Sequence, residues 1–332
     1  VNVTSTGSGS ADPDRIAQLM SQAGQNVTDQ HLVSQVLLRE WTTPVQHAPV
    51  AHLQPYDLQS PGRQLKTRPP RGVGWIKNFV PWASASLEAK WGTVEQNLPD
   101  VLAQVKAGKA LEDRRATGIL RDLIALHYIR SHYFREAFNR VFTDFVPRRR
   151  QWLIEERPHL LTIAFEQHTG RAPSGPEDLE AIADEIFSPM IGQYQDGSLL
   201  RVRIDASFEQ ARQLMSRYEL QIVEPLQSEF LIGDNPALTL RRAGDNILHS
   251  MALHDSRTTV LPIGPHHMLA LGDTSFHALV SKSAVDTMNM LQIEAARRYV
   301  YARPGSQLDP IIEEVSCDRL ADNPPRQGPS CA

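Results

Sequence analysis

Asp234 and Asn235 stand side by side in Ile232-Gly233-Asp234-Asn235-Pro236, where an apolar run ends in a glycine and a proline. A carboxylate and an amide at a strand end could hold a divalent metal or orient a ligand. Gly233 would let another backbone approach closely. The same residues also spell an Asx-turn, in which Asp and Asn serve only nearby backbone donors.

Other polar residues fall where apolar ones are expected. His127 and Arg130 sit three apart among Leu123, Ile124 and Phe134, so on a helix they point the same way. A buried arginine must be paired, and Glu95 and Asp234 are the candidate partners. The competing reading is a structural ion pair between helices. His31 lies in the first turn of an expected helix, where the dipole disfavours imidazolium. A neutral ring there suits a base or a ligand role, although a first-turn histidine can also simply face water. Asn289 interrupts the ladder Val285, Asn289, Ile293, Ala296, Val300, and a buried amide needs partners. It could bridge to the Asp234 turn or act as a structural anchor.

Two further groups carry less. Of His249, His254, His266, His267 and His277, the adjacent pair would face opposite sides of a strand. These read as surface histidines. Arg148-Arg149-Arg150 beside Trp152 could touch phosphate, but reads as a solvated helix end near Glu155 and Glu156. There is no P-loop, no Gly-x-Ser-x-Gly elbow and no His-Glu-x-x-His, which speaks against the common ATPases, serine hydrolases and zincins.

Composition sets the frame. The chain has 332 residues, 41% hydrophobic and 22% charged, with a net charge of −4. That length can bury a substantial core. The charge gives no overall pull toward nucleic acid or anionic lipid, so nucleic acid as a partner draws no support from it. Cys317 and Cys331 are the two cysteines, too few for a disulfide framework. No run approaches the ~20 apolar residues of a membrane span. The N-terminus lacks a basic start followed by an apolar run, so a cytoplasmic location is expected. Arginine far outnumbers lysine, as a GC-rich bacterial genome would produce.

The elements that must position these residues follow from period and punctuation. Residues 1–24 read as a flexible leader with a weak helix over 11–23. Asn26 or Thr28 caps a helix to Trp41, with Leu32, Val33, Val36 and Leu37 on one face. The stretches 50–58 and 74–80 read as strands, with a hairpin joined by the loop 61–71 as one pairing open to them. Ser84 or Ser86 opens a helix, and Pro99 starts or kinks its continuation to Lys106. Residues 110–145 form the central core helix, interrupted at Pro147. Helices over 176–191 and 199–218 precede a change of period. Short apolar runs at 220–223, 229–232, 237–240, 258–262 and 268–271 then read as strands. Ser283 caps a last long helix to Tyr301, and a short helix over 309–320 leads into a disordered tail. The class is α+β, predominantly helical, with a small mostly antiparallel sheet in the C-terminal half. One domain is expected over 25–305, followed by the helix and tail of 306–332.

Taken in order, His31 with Leu38-Arg39, Glu95, His127 with Arg130, Phe230 through Pro236, Leu261-Pro262-Ile263, Asn289 and Tyr299-Val300-Tyr301-Ala302 form a pattern. The chain resembles an uncharacterised bacterial domain-of-unknown-function family with a His-x-x-Pro-x-x-x-Leu-Arg opening and a Ser-Asp-Asn-Pro strand and turn. Ser34 stands here for the usual proline and Gly233 for the usual serine, which removes a hydroxyl beside Asp234. The resemblance implies a fold and a set of site positions and brings no activity. Two functions remain open. One is a hydrolase, metal-dependent in one version, acting on a nucleic acid or nucleotide. In it His31, Asp234, Glu95, Arg130 and His127 are catalytic, Asn235 and Asn289 hold substrate, and Asp234 with Glu95 holds a divalent metal. The other is a non-catalytic binding or regulatory protein in which the same residues form a structural network.

Overall fold

Ser34, Asp113 and Ser281 mark where three helices begin. Each side chain accepts an early backbone N–H that the helix cannot satisfy itself: Val36 N at 3.2 Å, Arg115 N at 2.8 Å and Ala284 N at 3.4 Å. The computed structural model describes residues 13–46, 48–81 and 84–322. The expected leader falls partly, and the expected tail wholly, outside them. The helices are α1 (Pro13–Ser21), α2 (Gln35–Leu38), α3 (Ser84–Glu95), α4 (Leu98–Lys106), α5 (Arg114–Ile129), α6 (His132–Glu156), α7 (Pro158–Thr169), α8 (Pro176–Asp196), α9 (Ser198–Met215), α10 (Lys282–Ala295) and α11 (Asp309–Asp322). No helix among the described residues is long and apolar enough to cross a membrane.

The strands are β1 (Asp29–His31), β2 (Gln54–Asp57), β3 (Trp75–Lys77), β4 (Glu219–Pro225), β5 (Ile232–Gly233), β6 (Leu238–Ala243), β7 (Asn246–His249), β8 (Thr258–Gly264), β9 (His267–Gly272), β10 (Phe276–Val280) and β11 (Tyr299–Ala302). The class is α+β as expected, but the sheet differs. It has six strands in the order β10-β4-β9-β8-β6-β7. It is mixed, because β10 runs parallel to β4 while the other neighbours are antiparallel. A three-stranded antiparallel sheet, β2-β11-β5, and the β1–β3 pair accompany it. The parallel edge is hard to read locally: Phe276 and Leu279 stay exposed, so β10 lacks a clean buried alternation.

Packing separates two compact units. One comprises Val1–Thr28, Asn78–Leu87 and Arg135–Ala206, the other Asp29–Lys77, Glu88–Phe134 and Ser207–Ala332. In the first, Leu161, Phe165, Ile182 and Ala183 form one core. Phe142 stacks on Tyr194 with centroids 3.9 Å apart. Gly197 ends α8 at φ +84, and a Cβ there would lie 2.2 Å from Pro81 Cγ. In the second, the six-stranded sheet packs against α10, with Val260, Met268 and Ala270 meeting Val285 and Leu291. The far side of α10 meets α11 and the three-stranded sheet through Ile293, Val300, Ile312 and Val315.

Several expected elements change. His31 ends a strand, not the first turn of a helix, because the helix cap is Ser34. The stretches 50–58 and 74–80 do not pair: β2 joins β11 and β3 joins β1. Pro147 lies inside α6, and the break in the long helix falls instead at Arg130 and Ser131. There the Ser131 hydroxyl accepts Phe134 N at 3.0 Å and opens α6. The last long helix starts from Ser281 rather than Ser283 and stops at Ala295, and 299–302 is the central strand of its sheet.

Candidate functional site

The polar residues singled out in the sequence gather in two places. The first is the Asp234 turn. The Asp234 carboxylate accepts three backbone N–H groups, from Arg297 at 2.7 Å, Arg298 at 2.9 Å and Tyr299 at 3.0 Å. It thereby caps the turn between α10 and β11. Burial pushes its carboxyl up, while the three N–H donors and the charge of Arg319 pull it down. Asn289 accepts Leu231 N at 3.0 Å and donates to Glu229 O at 2.9 Å. It latches α10 to the segment just before the turn. Gln292 continues the latch, accepting Gly233 N at 3.0 Å and donating to Pro236 O at 2.8 Å. Asn235 donates to Ala295 O at 3.2 Å, and its own Oδ1 is buried without a partner. Arg319 donates to Ile293 O and Ala296 O at 2.5 and 2.7 Å, satisfying the end of α10. A Cβ on Gly233 would lie 3.0 Å from Gln292 O, so glycine lets β5 sit against α10.

The second place is formed by β1, α2, α3 and the end of α5. Glu88, Trp91 and Glu95 recur at i, i+3 and i+7 on α3, one face of the helix. Arg130, 2% exposed, is the C-cap of α5. Its Nη1 donates to Glu95 Oε1 at 2.9 Å, its Nε to the His31 carbonyl, and its plane lies 5.1 Å from the Trp91 ring. Glu95, not Asp234, is therefore the carboxylate that answers the buried arginine. His31 Nε2 lies 3.0 Å from the Gln35 amide nitrogen. The amide donates, so a neutral His31 carries its proton on Nδ1. Burial, then the charge of Arg130, lowers the basicity of His31, with Glu95 and Asp29 opposing. The ring is thus kept neutral by desolvation and a neighbouring cation rather than by a helix dipole. Burial pushes the Glu88 carboxyl up, with Arg130 opposing and Glu95 reinforcing. Glu88 Oε1 and Trp91 Nε1 are both buried without a hydrogen-bond partner.

His127 is beside this cluster but has no free nitrogen. Its Nδ1 donates to Leu123 O at 2.9 Å and its Nε2 accepts Ser34 N at 3.1 Å. Burial, then the Arg130 charge, lowers its pKa to about 4. The ring fastens the His31 to Ser34 strand-and-cap segment to α5. That segment also links the two places: Gly74 O accepts Leu32 N at 2.8 Å, and Gly74 N donates to Tyr301 Oη at 3.1 Å, beside Asp234, whose charge bears on Tyr301.

The remaining groups are accounted for. His267 and His277 both reach Glu224 Oε1, at 3.1 and 2.8 Å, so a carboxylate does join the histidines. Among the described residues, no group of three or more His, Cys, Asp or Glu side chains is placed to hold a metal ion. Arg150 pairs with Asp184 at 2.5 Å, not with Glu155 or Glu156, and Arg149 covers Trp152 at 3.8 Å. Glu88, Trp91, Gln35 and Gln292 were not singled out by sequence. Each carried a signal: Glu88 and Trp91 share the helical face of Glu95, Gln35 is four residues from His31, and Gln292 is three from Asn289. Arg319 carried none.

Fold and site thus define a mainly helical α+β protein with a latched turn at Asp234 and a half-buried His–Glu pair around a buried Arg130. The chain belongs to the family of proteins of unknown function DUF4238, whose pattern matches residues 29–306 and so includes both places except Arg319. No curated protein and no solved structure matches the chain.

Proposed function

We propose that the protein is a hydrolase that works by general acid–base catalysis at His31, Glu88, Glu95 and Arg130. The observation that carries this is the pair of buried, unpartnered polar atoms, Glu88 Oε1 and Trp91 Nε1, beside an arginine held from two sides. A buried polar group without a partner costs about 1–3 kcal/mol, and such a cost is characteristic of sites that meet a ligand. Glu88, whose carboxyl burial pushes above the usual carboxylate range, supplies the proton to a leaving group. Neutral His31 takes one from water at Nε2, the nitrogen the Gln35 amide gives up as substrate binds, and acid and base are driven apart by their surroundings. Glu95 orients Arg130, whose charge stabilises developing negative charge on a phosphate ester, the bond type of a nucleotide or nucleic acid. In this reading Asp234, Asn235, Asn289 and His127 hold the fold rather than the substrate. A cytoplasmic setting belongs to the same reading, since exposed Cys317 would there remain a thiol.

The test is turnover of phosphate monoesters, phosphodiesters and nucleoside triphosphates, with and without Mg2+ or Mn2+, by the parent chain, Glu88→Gln and His31→Ala. Removing a general acid or base should cost roughly 10²–10⁴ in rate with the unfolding midpoint preserved. Full turnover by Glu88→Gln would sink the assignment. The second reading, a non-catalytic protein, is favoured by the Asp234 turn, where every hydrogen bond found for Asp234, Asn289 and Gln292 goes to backbone. Absence of turnover on all substrates together with a stability gain in Glu88→Gln would support it.

A further inference from the structure

A cleft of about 380 Å³ lies between β2, the loop after it, the turn at Gly305 and the first turns of α11. That volume is at the small end of metabolite pockets, which run roughly 300–1,000 Å³. The cleft is separate from both places described above. Its loop is held without a ligand. Gln54 Nε2 donates to Leu65 O at 2.8 Å, Gln59 N to Asp57 Oδ1 at 3.1 Å, and Arg63 N to Ser60 O at 3.1 Å. Gly62 is at φ +76, and a Cβ there would lie 3.3 Å from Glu313 Oε1, so glycine brings the loop against α11.

The charges of the wall are partly answered. Asp57 receives Arg298 Nη2 at 2.9 Å and Nε at 3.3 Å. Asp309 accepts the Tyr56 hydroxyl, and burial, then this bond, pushes the Tyr56 hydroxyl's pKa up. Two lining side chains of opposite sign, Arg63 and Glu313, have no ion-pair partner among the described residues. Ser306 Oγ is buried in the same wall with no hydrogen-bond partner.

We propose that this cleft binds a small zwitterion, of the size and chemistry of a free amino acid. Arg63 receives its carboxylate, for which the guanidinium fork is matched. Glu313, with Asp309 one helical turn before it, receives its ammonium. Ser306 completes the cradle with a buried hydroxyl that has no hydrogen-bond partner in the protein. A simple anion would meet Asp309 and Glu313, and a simple cation would meet Arg63, so a ligand with both charges fits where either alone does not. Two walls lie within the family's matched residues, and Asp309 and Glu313 lie beyond them.

The test is calorimetry and thermal shift on the full chain with the proteinogenic L-amino acids, using putrescine and succinate as controls that carry charge of one sign only. At least one amino acid should bind at least ~10-fold more tightly than either control, and Arg63→Ala and Glu313→Gln should each weaken it ~10-fold or more. Ser306→Ala is the discriminating variant. Its hydroxyl makes no bond in the protein, so the unfolding midpoint of the free protein should hold while affinity falls ~2–10-fold. Binding of no amino acid overturns the proposal. So does binding that Arg63→Ala and Glu313→Gln leave intact, or succinate or putrescine binding as well as the best amino acid.

Discussion

Lowering the pH from 7 to 5 should cost the fold about 2 kcal/mol at His127 alone. The ring is fully buried, donates to Leu123 O and accepts Ser34 N. A second proton on Nε2 would face the Ser34 N–H and break that bond. The folded pKa is lowered to about 4 from an ordinary 6.5. Between those values the unfolded chain binds more protons than the folded one, so stability falls as pH falls. The contribution is whole above pH 6.5, is lost through the window from 6.5 to 4, and is gone below it. The full span corresponds to ~3 kcal/mol at 1.36 kcal/mol per unit, of which about 2 is lost by pH 5. The assay is urea unfolding at pH 7, 6 and 5 of the parent and of His127→Gln, whose amide can make both hydrogen bonds but does not titrate. Other groups, His31 among them, titrate in both proteins, so the difference between the two isolates His127. An equal pH dependence in parent and variant would refute the reasoning.

Asp234→Asn should lower the unfolding free energy by roughly 2–4 kcal/mol, because a carboxylate that caps three N–H groups is replaced by an amide with one acceptor oxygen. Urea unfolding at pH 7 reads this, and a loss under ~0.5 kcal/mol would mean that the turn at 297–299 is held by something else. Gly197→Ala should cost ~2 kcal/mol or more, since the residue sits at positive φ and the new methyl meets Pro81. A midpoint equal to the parent's would show that α8 can end another way.

Much of this protein was legible in its residues. Arg130 among leucines had to find a carboxylate, because an unpaired buried charge is not tolerated, and Glu95 was one of two nominees. Asn289, polar in an apolar ladder, had to find partners, and it bonds the segment just before the Asp234 turn. The apolar runs at 220–223, 258–262 and 268–271 became β4, β8 and β9 because short buried runs between turn residues have few other outcomes. Tertiary structure decided what those needs were matched with. Asp234 was open between a ligand role and a local Asx-turn, and the N–H groups of 297–299 that its carboxylate accepts lie more than sixty positions away, which no local spacing announces. His31 looked helical until β3 arrived to pair with β1. Glu88 gained its significance only when burial, reinforced by Glu95 and opposed by Arg130, pushed its carboxyl up. Sequence determines which groups cannot be left alone. The long-range approach of backbone and side chains determines who answers them, because hydrogen-bond donors distant in the chain leave no periodic mark on it.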